Sequence, residues 1–184
     1  MRPTRKRNNS AMATPAPAVP AGSAETASAK PAEETFRALL RTYGLLGRVM
    51  QPYFTRFGIS GSQWAVLRNL HRAEREGIAG LRLRDLSERL LIRPPSVTGV
   101  VDRLERQGLV TRGASIGDLR AKQVSLTYDG QQLVERVLAR HGEQVSAVLG
   151  ALSSDEQRQL NGLLSRLDEH LESMAQASER AAVA

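Results

Sequence analysis

Phe36, Leu39, Tyr43, Leu46, Met50, Tyr53 and Phe57 step by three and four residues without a break, which lays one apolar stripe along a helix about six turns long. Leu83, Leu86 and Leu90 mark a short helix whose Arg84, Asp85, Glu88 and Arg89 face water. Ile92-Arg93-Pro94-Pro95 then breaks the pattern, because a proline lacks an N–H and disfavours the helical region in its predecessor. The spacing predicts a second short helix from Pro95, with Pro94 at its cap and Val97, Val100, Val101 and Leu104 as its buried stripe. Pro94 has no side-chain acceptor, so the N–H groups of Ser96 and Val97 are expected to stay free for an outside anion. Gly108 ends this helix, and Leu109–Arg112 and Lys122–Leu126 read as paired strands around a loop containing Gly113 and Gly117. Beyond them Leu133, Val137 and Val145, with Leu138 and Val148 alongside, line another helix. Ser153 and Glu156 form a capping box, after which Leu160, Leu164, Leu167, Leu171 and Met174 repeat the helical spacing.

Two short helices, a turn and a hairpin between Leu81 and Thr127 are the layout of a winged helix-turn-helix. The chain is therefore predicted to be mainly α (α+β), a lobe with a two-stranded β-hairpin wing flanked by long N- and C-terminal helices. Double-stranded DNA becomes the leading partner. Ser96, Thr98 and Gly99 lie on the first turns of the second helix, where short hydroxyls and a missing side chain allow close approach to base edges. Arg120 stands near the hairpin tip, suited to a narrow, negative minor groove, and Asp118 reads as a carboxylate that holds an arginine in place. With Arg93, Pro95, Arg103, Arg112 and Lys122 these complete the expected DNA-contact set. A winged lobe that uses the same hairpin to hold another protein stays open as the alternative.

Charge sharpens this only locally. Of the formal net charge of +7, Arg2, Arg5, Lys6 and Arg7 supply four, and the rest of the chain sets 22 basic residues against 19 acidic ones. Between Arg82 and Lys122, however, nine basic residues face five acidic, as a phosphate-facing lobe requires. The absence of cysteine excludes disulfides, thiolate metal sites and thiol-based sensing. With no apolar run long enough to span a bilayer, the chain is expected to be cytoplasmic, and on the nucleoid when bound. Residues 1–31, rich in Ala, Pro and Ser, are expected to be a disordered tail, as are residues 177–184. The basic start of that tail resembles a transit peptide in composition, but its prolines oppose the amphipathic helix that import needs. An enzyme is disfavoured: His71, His141 and His170 lack metal-ligand spacing, and Gly58-Ile59-Ser60-Gly61-Ser62 places its glycines wrongly for a nucleophile elbow, reading instead as a turn and cap before Trp64. No metal or cofactor is expected.

The runs Leu83-Arg84-Asp85-Leu86-Ser87-Glu88-Arg89-Leu90, Pro95 to Val110, and Asp118-Leu119-Arg120-Ala121-Lys122 to Leu126-Thr127 resemble the DNA-binding lobe of the MarR family of bacterial regulators. Gln63-Trp64-Ala65-Val66-Leu67 resembles that family's second helix, and the likeness covers about Glu33 to Ala175. Leu119 stands where a second arginine is frequent in the family, and Gly99 where a longer polar residue is. The resemblance assigns residues 60–127 to the DNA-binding lobe and 33–57 and 128–175 to dimerisation helices, within a domain of residues 32–176. The terminal stripes exceed what so small a lobe can cover, which itself favours a symmetric homodimer with half-sites about one DNA turn apart. The resemblance further implies a repressor released by a small aromatic or phenolic acid. For that ligand Tyr43, Trp64, His71 and Arg48 are the candidates, since such an acid wants ring faces and a cation or donor.

Overall fold

The structure, a computed structural model, describes residues 25–115 and 118–183. Its elements in order are α1 (Glu25–Thr55), α2 (Gly61–Arg75), β1 (Leu81–Arg82), α3 (Leu83–Leu90), α4 (Pro94–Arg106), β2 (Val110–Ser115), β3 (Asp118–Leu126), α5 (Tyr128–Leu149) and α6 (Ser154–Val183). The chain divides into two units, residues 1–42 and 43–184. The described part of the first is helical from Glu25, inside the stretch read from composition as a disordered tail, and its basic start lies outside the described residues. Ala27, Ala29, Lys30 and Ala32 are strong helix formers, a preference that the tail's overall composition hid. Within this unit Arg37 pairs with Glu33 one turn earlier at 2.8 Å, and Phe36, Leu39 and Leu40 are exposed.

The second unit is built around one core drawn from every helix between α1 and α5. Tyr53, Phe54, Trp64, Val66, Leu67, Leu70, Leu86, Val97, Val101, Leu104, Val124, Val134 and Val137 are buried in it. Tyr53 reaches across the core, its hydroxyl donating to the Val137 carbonyl at 2.7 Å, and burial pushes that phenol above its usual range. Ser60 caps α2 as its sequence suggests: its hydroxyl accepts from the Gln63 N–H at 3.2 Å while Gln63 Oε1 accepts from the Ser60 N–H at 2.8 Å. Ser153 and Glu156 do the same for α6, with the Ser153 N–H donating to the Glu156 carboxylate at 2.8 Å.

The wing differs from its sequence reading in two ways. The sheet has three strands in the order β1-β3-β2, all antiparallel, rather than two. Leu81 and Arg82, paired with Val124 and Gln123, are too short a run for alternation to reveal. The hairpin strands are also longer than expected. Gly113, placed in the loop by sequence, lies in β2 opposite Gln123, and the register shifts only after Ala114. At the other end of the unit α6 continues to Val183, through the residues expected to be disordered. No glycine or proline follows Leu171 to stop it. Leu160, Leu163, Leu164, Leu167, Leu171 and Met174 are all exposed along this helix. Among the described residues no helix is long and apolar enough to cross a membrane, and no group of His, Asp or Glu could hold a metal ion.

Candidate functional site

The two prolines set the start of α4, one residue earlier than the sequence suggests. Arg93 is the N-cap, in extended conformation, and Pro94 and Pro95 occupy the first two helical positions. That shift removes the expected anion niche. Prolines have no N–H to offer, and the N–H groups of Ser96 and Val97 donate to the Arg93 carbonyl at 3.0 and 3.4 Å. An anion at this helix start must be held by side chains. Behind it, the turn from α3 is closed by the buried Ser87 hydroxyl, which donates to the Ile92 carbonyl at 2.5 Å, while Leu91 takes a left-handed conformation at φ 53°.

Val97, Val100, Val101 and Leu104 are buried, so α4 presents a fixed face outward. Ser96, Gly99, Arg103 and Arg106 recur there at three and four residues, one row along the helix. The Arg103 guanidinium lies over Gly99, 3.8 Å from where a Cβ would stand. Arg93, Pro95, Ser96 and Arg103 are exposed; Thr98 and Gly99 are half-buried, and the Thr98 hydroxyl donates to the Pro94 carbonyl at 3.1 Å, leaving its lone pairs for a partner.

Arg112 is placed differently from its sequence reading as a groove contact. From β2 it reaches back to α4, with Nη2 2.5 Å from Asp102 Oδ1 and Nη1 2.5 Å from Glu105 Oε2, and its side chain is only 23% exposed. Hydrogen bonding to Asp102 raises its already high pKa, with Glu105 adding to the effect. The carboxylates that hold Arg112 belong to α4, and these pairs tie the wing to the helix. At the far end of α4 the buried Gln63 donates to Gln107 Oε1 at 2.7 Å, fixing the helix against α2. The side chains of Asp118, Arg120 and Lys122 lie outside the described residues, although their backbone belongs to β3.

A cavity of about 550 Å³ opens on the other side of the core, lined by Tyr43, Gly44, Leu46, Gly47 and Met50 from α1 with Phe54, Trp64 of α2, and His141, Val145, Val148 and Leu149 of α5. Three ring centroids surround the His141 imidazole, Trp64 at 5.4 Å, Tyr53 at 5.9 Å and Phe54 at 6.3 Å. Its Nδ1 is buried and, among the described residues, has no hydrogen-bond partner. Burial first, and then the positive field of Arg68, lowers the pKa of this histidine.

Residues 57–121 match the family model described as the MarR family. The chain is 31% identical over 127 residues to the homoprotocatechuate degradative operon repressor of Escherichia coli, a match that covers 69% of this chain and 82% of that protein. The chain belongs to the MarR family. A second MarR-type relative, the HTH-type transcriptional regulator PecS of Dickeya dadantii, is 29% identical over 133 residues, covering 72% of this chain and 79% of PecS. Among solved structures, a mutant MarR from E. coli complexed with operator DNA superposes with a TM-score of 0.65 at 23% identity, covering 71% of this chain and 91% of that one, which shows the common fold. As a MarR protein the chain is a DNA-binding transcriptional regulator and not an enzyme.

Of the four residues that the MarR resemblance suggested for a ligand, Tyr43 and Trp64 line the cavity, whereas Arg48 and His71 do not. Arg48 sits exposed on α1, and His71 faces Arg68, Nδ1 to Nη1 at 3.4 Å. His141, which the sequence reading passed over as a histidine without metal spacing, lines the cavity of this MarR chain. A signal was present: His141 falls midway between Val137 and Val145 on the apolar stripe of α5, where a polar ring needs a reason to be.

Proposed function

We propose that the chain acts as a homodimeric repressor that binds a pseudo-palindromic operator and is released by a small ring compound seated in the cavity. The observation that carries this is the outward row of Ser96, Gly99 and Arg103 on a helix whose opposite face is locked into the core. Such a row meets base edges and phosphates in a major groove, while Arg120 from the wing enters the adjoining minor groove. The similar E. coli MarR structure, solved with operator DNA, supports the same use of the lobe. Exposed leucines along α6 support the dimer, because a soluble monomer rarely leaves a continuous apolar stripe of this length in water. Two lobes held by these helices meet both half-sites only at one separation. A ligand that prefers another separation opposes DNA through a coupling free energy of about 1–3 kcal/mol.

A mobility-shift titration against the DNA upstream of its own gene tests the reading. A discrete complex is expected, weakening steeply as salt rises, and Arg120→Ala should weaken it about tenfold. A complex insensitive to salt, or none, would point to the winged lobe as a protein-contact module. For the dimer, sedimentation of Leu167→Glu should yield single chains with folded-state helicity intact, since this leucine lies on the exposed stripe and not in the core. Retention of the two-chain particle would place the interface elsewhere.

A further inference from the structure

We infer that Arg103, laid back across Gly99, is the side chain with which α4 reads a guanine in the major groove. The inference rests on the DNA-binding reading above and names the base that the helix selects. A side chain on a helix leans toward the helix start, so a residue covers the position four before it. Here that position has no side chain. The Arg103 guanidinium settles over the glycine instead, with Nη1 3.8 Å from where a Gly99 Cβ would stand. At about 3.6 residues per turn, Gly99 lies nearer than Arg103 to the line opposite the buried Val97, Val100, Val101 and Leu104. Folding back over it carries the charge from the flank of the helix, where phosphates pass, toward the midline that faces the groove floor.

The charge is available for this. Asp102 and Glu105, the acids beside it on α4, are both held by Arg112 at 2.5 Å, and among the described residues no carboxylate pairs with Arg103. Arg106 is engaged differently, its Nε donating to the Asp102 carbonyl at 3.3 Å. Ser96 and Thr98 share the outward face, but a hydroxyl both donates and accepts, so it discriminates poorly between bases. A planar guanidinium is more selective. It matches the paired O6 and N7 acceptors of guanine, an arrangement that no other base edge presents in the major groove.

Fluorescence anisotropy of the full chain on the duplex upstream of its own gene tests this, with 7-deazaguanine placed at one guanine at a time. That base keeps its pairing and its O6 but lacks the N7 acceptor. The parent is expected to lose about tenfold in affinity at one guanine in each half-site. Arg103→Ala should bind the unmodified duplex about tenfold more weakly and be indifferent to the modified base there. Gly99→Leu keeps the arginine but fills its seat with a good helix former, and should show the same indifference. Gly99→Ala, whose Cβ would make only an ordinary contact, should stay sensitive. A parent indifferent at every guanine, or a penalty that persists in Arg103→Ala, would overturn the assignment while DNA binding stands. So would a loss in Arg103→Ala that is equal on all sequences and lowers the salt slope by about one, the mark of a phosphate contact. A chain that binds no upstream duplex removes both readings.

Discussion

Gly130→Ala is expected to destabilise the chain by roughly 3 kcal/mol, lowering Tm by roughly 6–12 °C. Gly130 lies in the first turn of α5, where its N–H is capped by the Thr127 hydroxyl at 3.1 Å. A Cβ there would stand 2.0 Å from the Leu109 carbonyl oxygen and 3.0 Å from its carbon. Neither atom belongs to a flexible side chain. The Leu109 carbonyl is held by the Thr127 N–H at 3.1 Å, and the Thr127 hydroxyl also bonds the Gly108 carbonyl at 2.6 Å, so the strand start and the helix start are stitched together at this point. Relief requires moving one element against the other. Helix propensity alone would favour alanine by about 1 kcal/mol, so the sign of the change decides. A thermal melt in which Gly130→Ala equals or exceeds the parent would show that the close approach is absent.

Arg112→Ala is expected to weaken operator binding by about 2 kcal/mol, some thirtyfold, while costing only about 1 kcal/mol of stability because Asp102 and Glu105 stay partly in water. The substitution does two things at once. It unties the wing from α4, and it leaves two carboxylates uncompensated on the helix proposed to meet the phosphates. Asp102→Asn separates this role from direct contact with DNA. If Arg112 itself met the duplex, loosening it from Asp102 would strengthen binding; if it positions the wing, Asp102→Asn weakens binding as well. Affinities from fluorescence anisotropy at fixed salt, for the parent and both variants, distinguish the two. Partial recovery in Asp102→Asn/Glu105→Gln/Arg112→Ala would assign the remaining share to the freed carboxylates.

Much of the lobe could be read directly because its signals are local. The stripe of Val97, Val100, Val101 and Leu104 depends on helical period alone, and all four residues are buried. The Ser60 and Ser153 caps depend on spacings of three residues, and both form. Gly108, at φ 72°, follows the last residues of α4, where the sequence ends that helix. The start of α4 was off by one because two adjacent prolines allow either as the first helical residue. That single step closed the expected anion site.

What the chain's order of residues determined by itself was therefore the order of the helices and the hairpin, the apolar stripe along each helix and the family to which it belongs, since each follows from neighbours a few positions apart. Only the tertiary structure decided which side chains from distant segments share a space. It set Arg112 against two carboxylates on α4, added β1 to the sheet, and enclosed His141 among Tyr53, Phe54 and Trp64 while leaving Arg48 and His71 outside. Periodicity fixes the direction in which a residue points along its own helix. It carries no information about what another element, 44 or 84 residues away, brings to meet it, as the bonds of Gln63 to Gln107 and of Tyr53 to Val137 show.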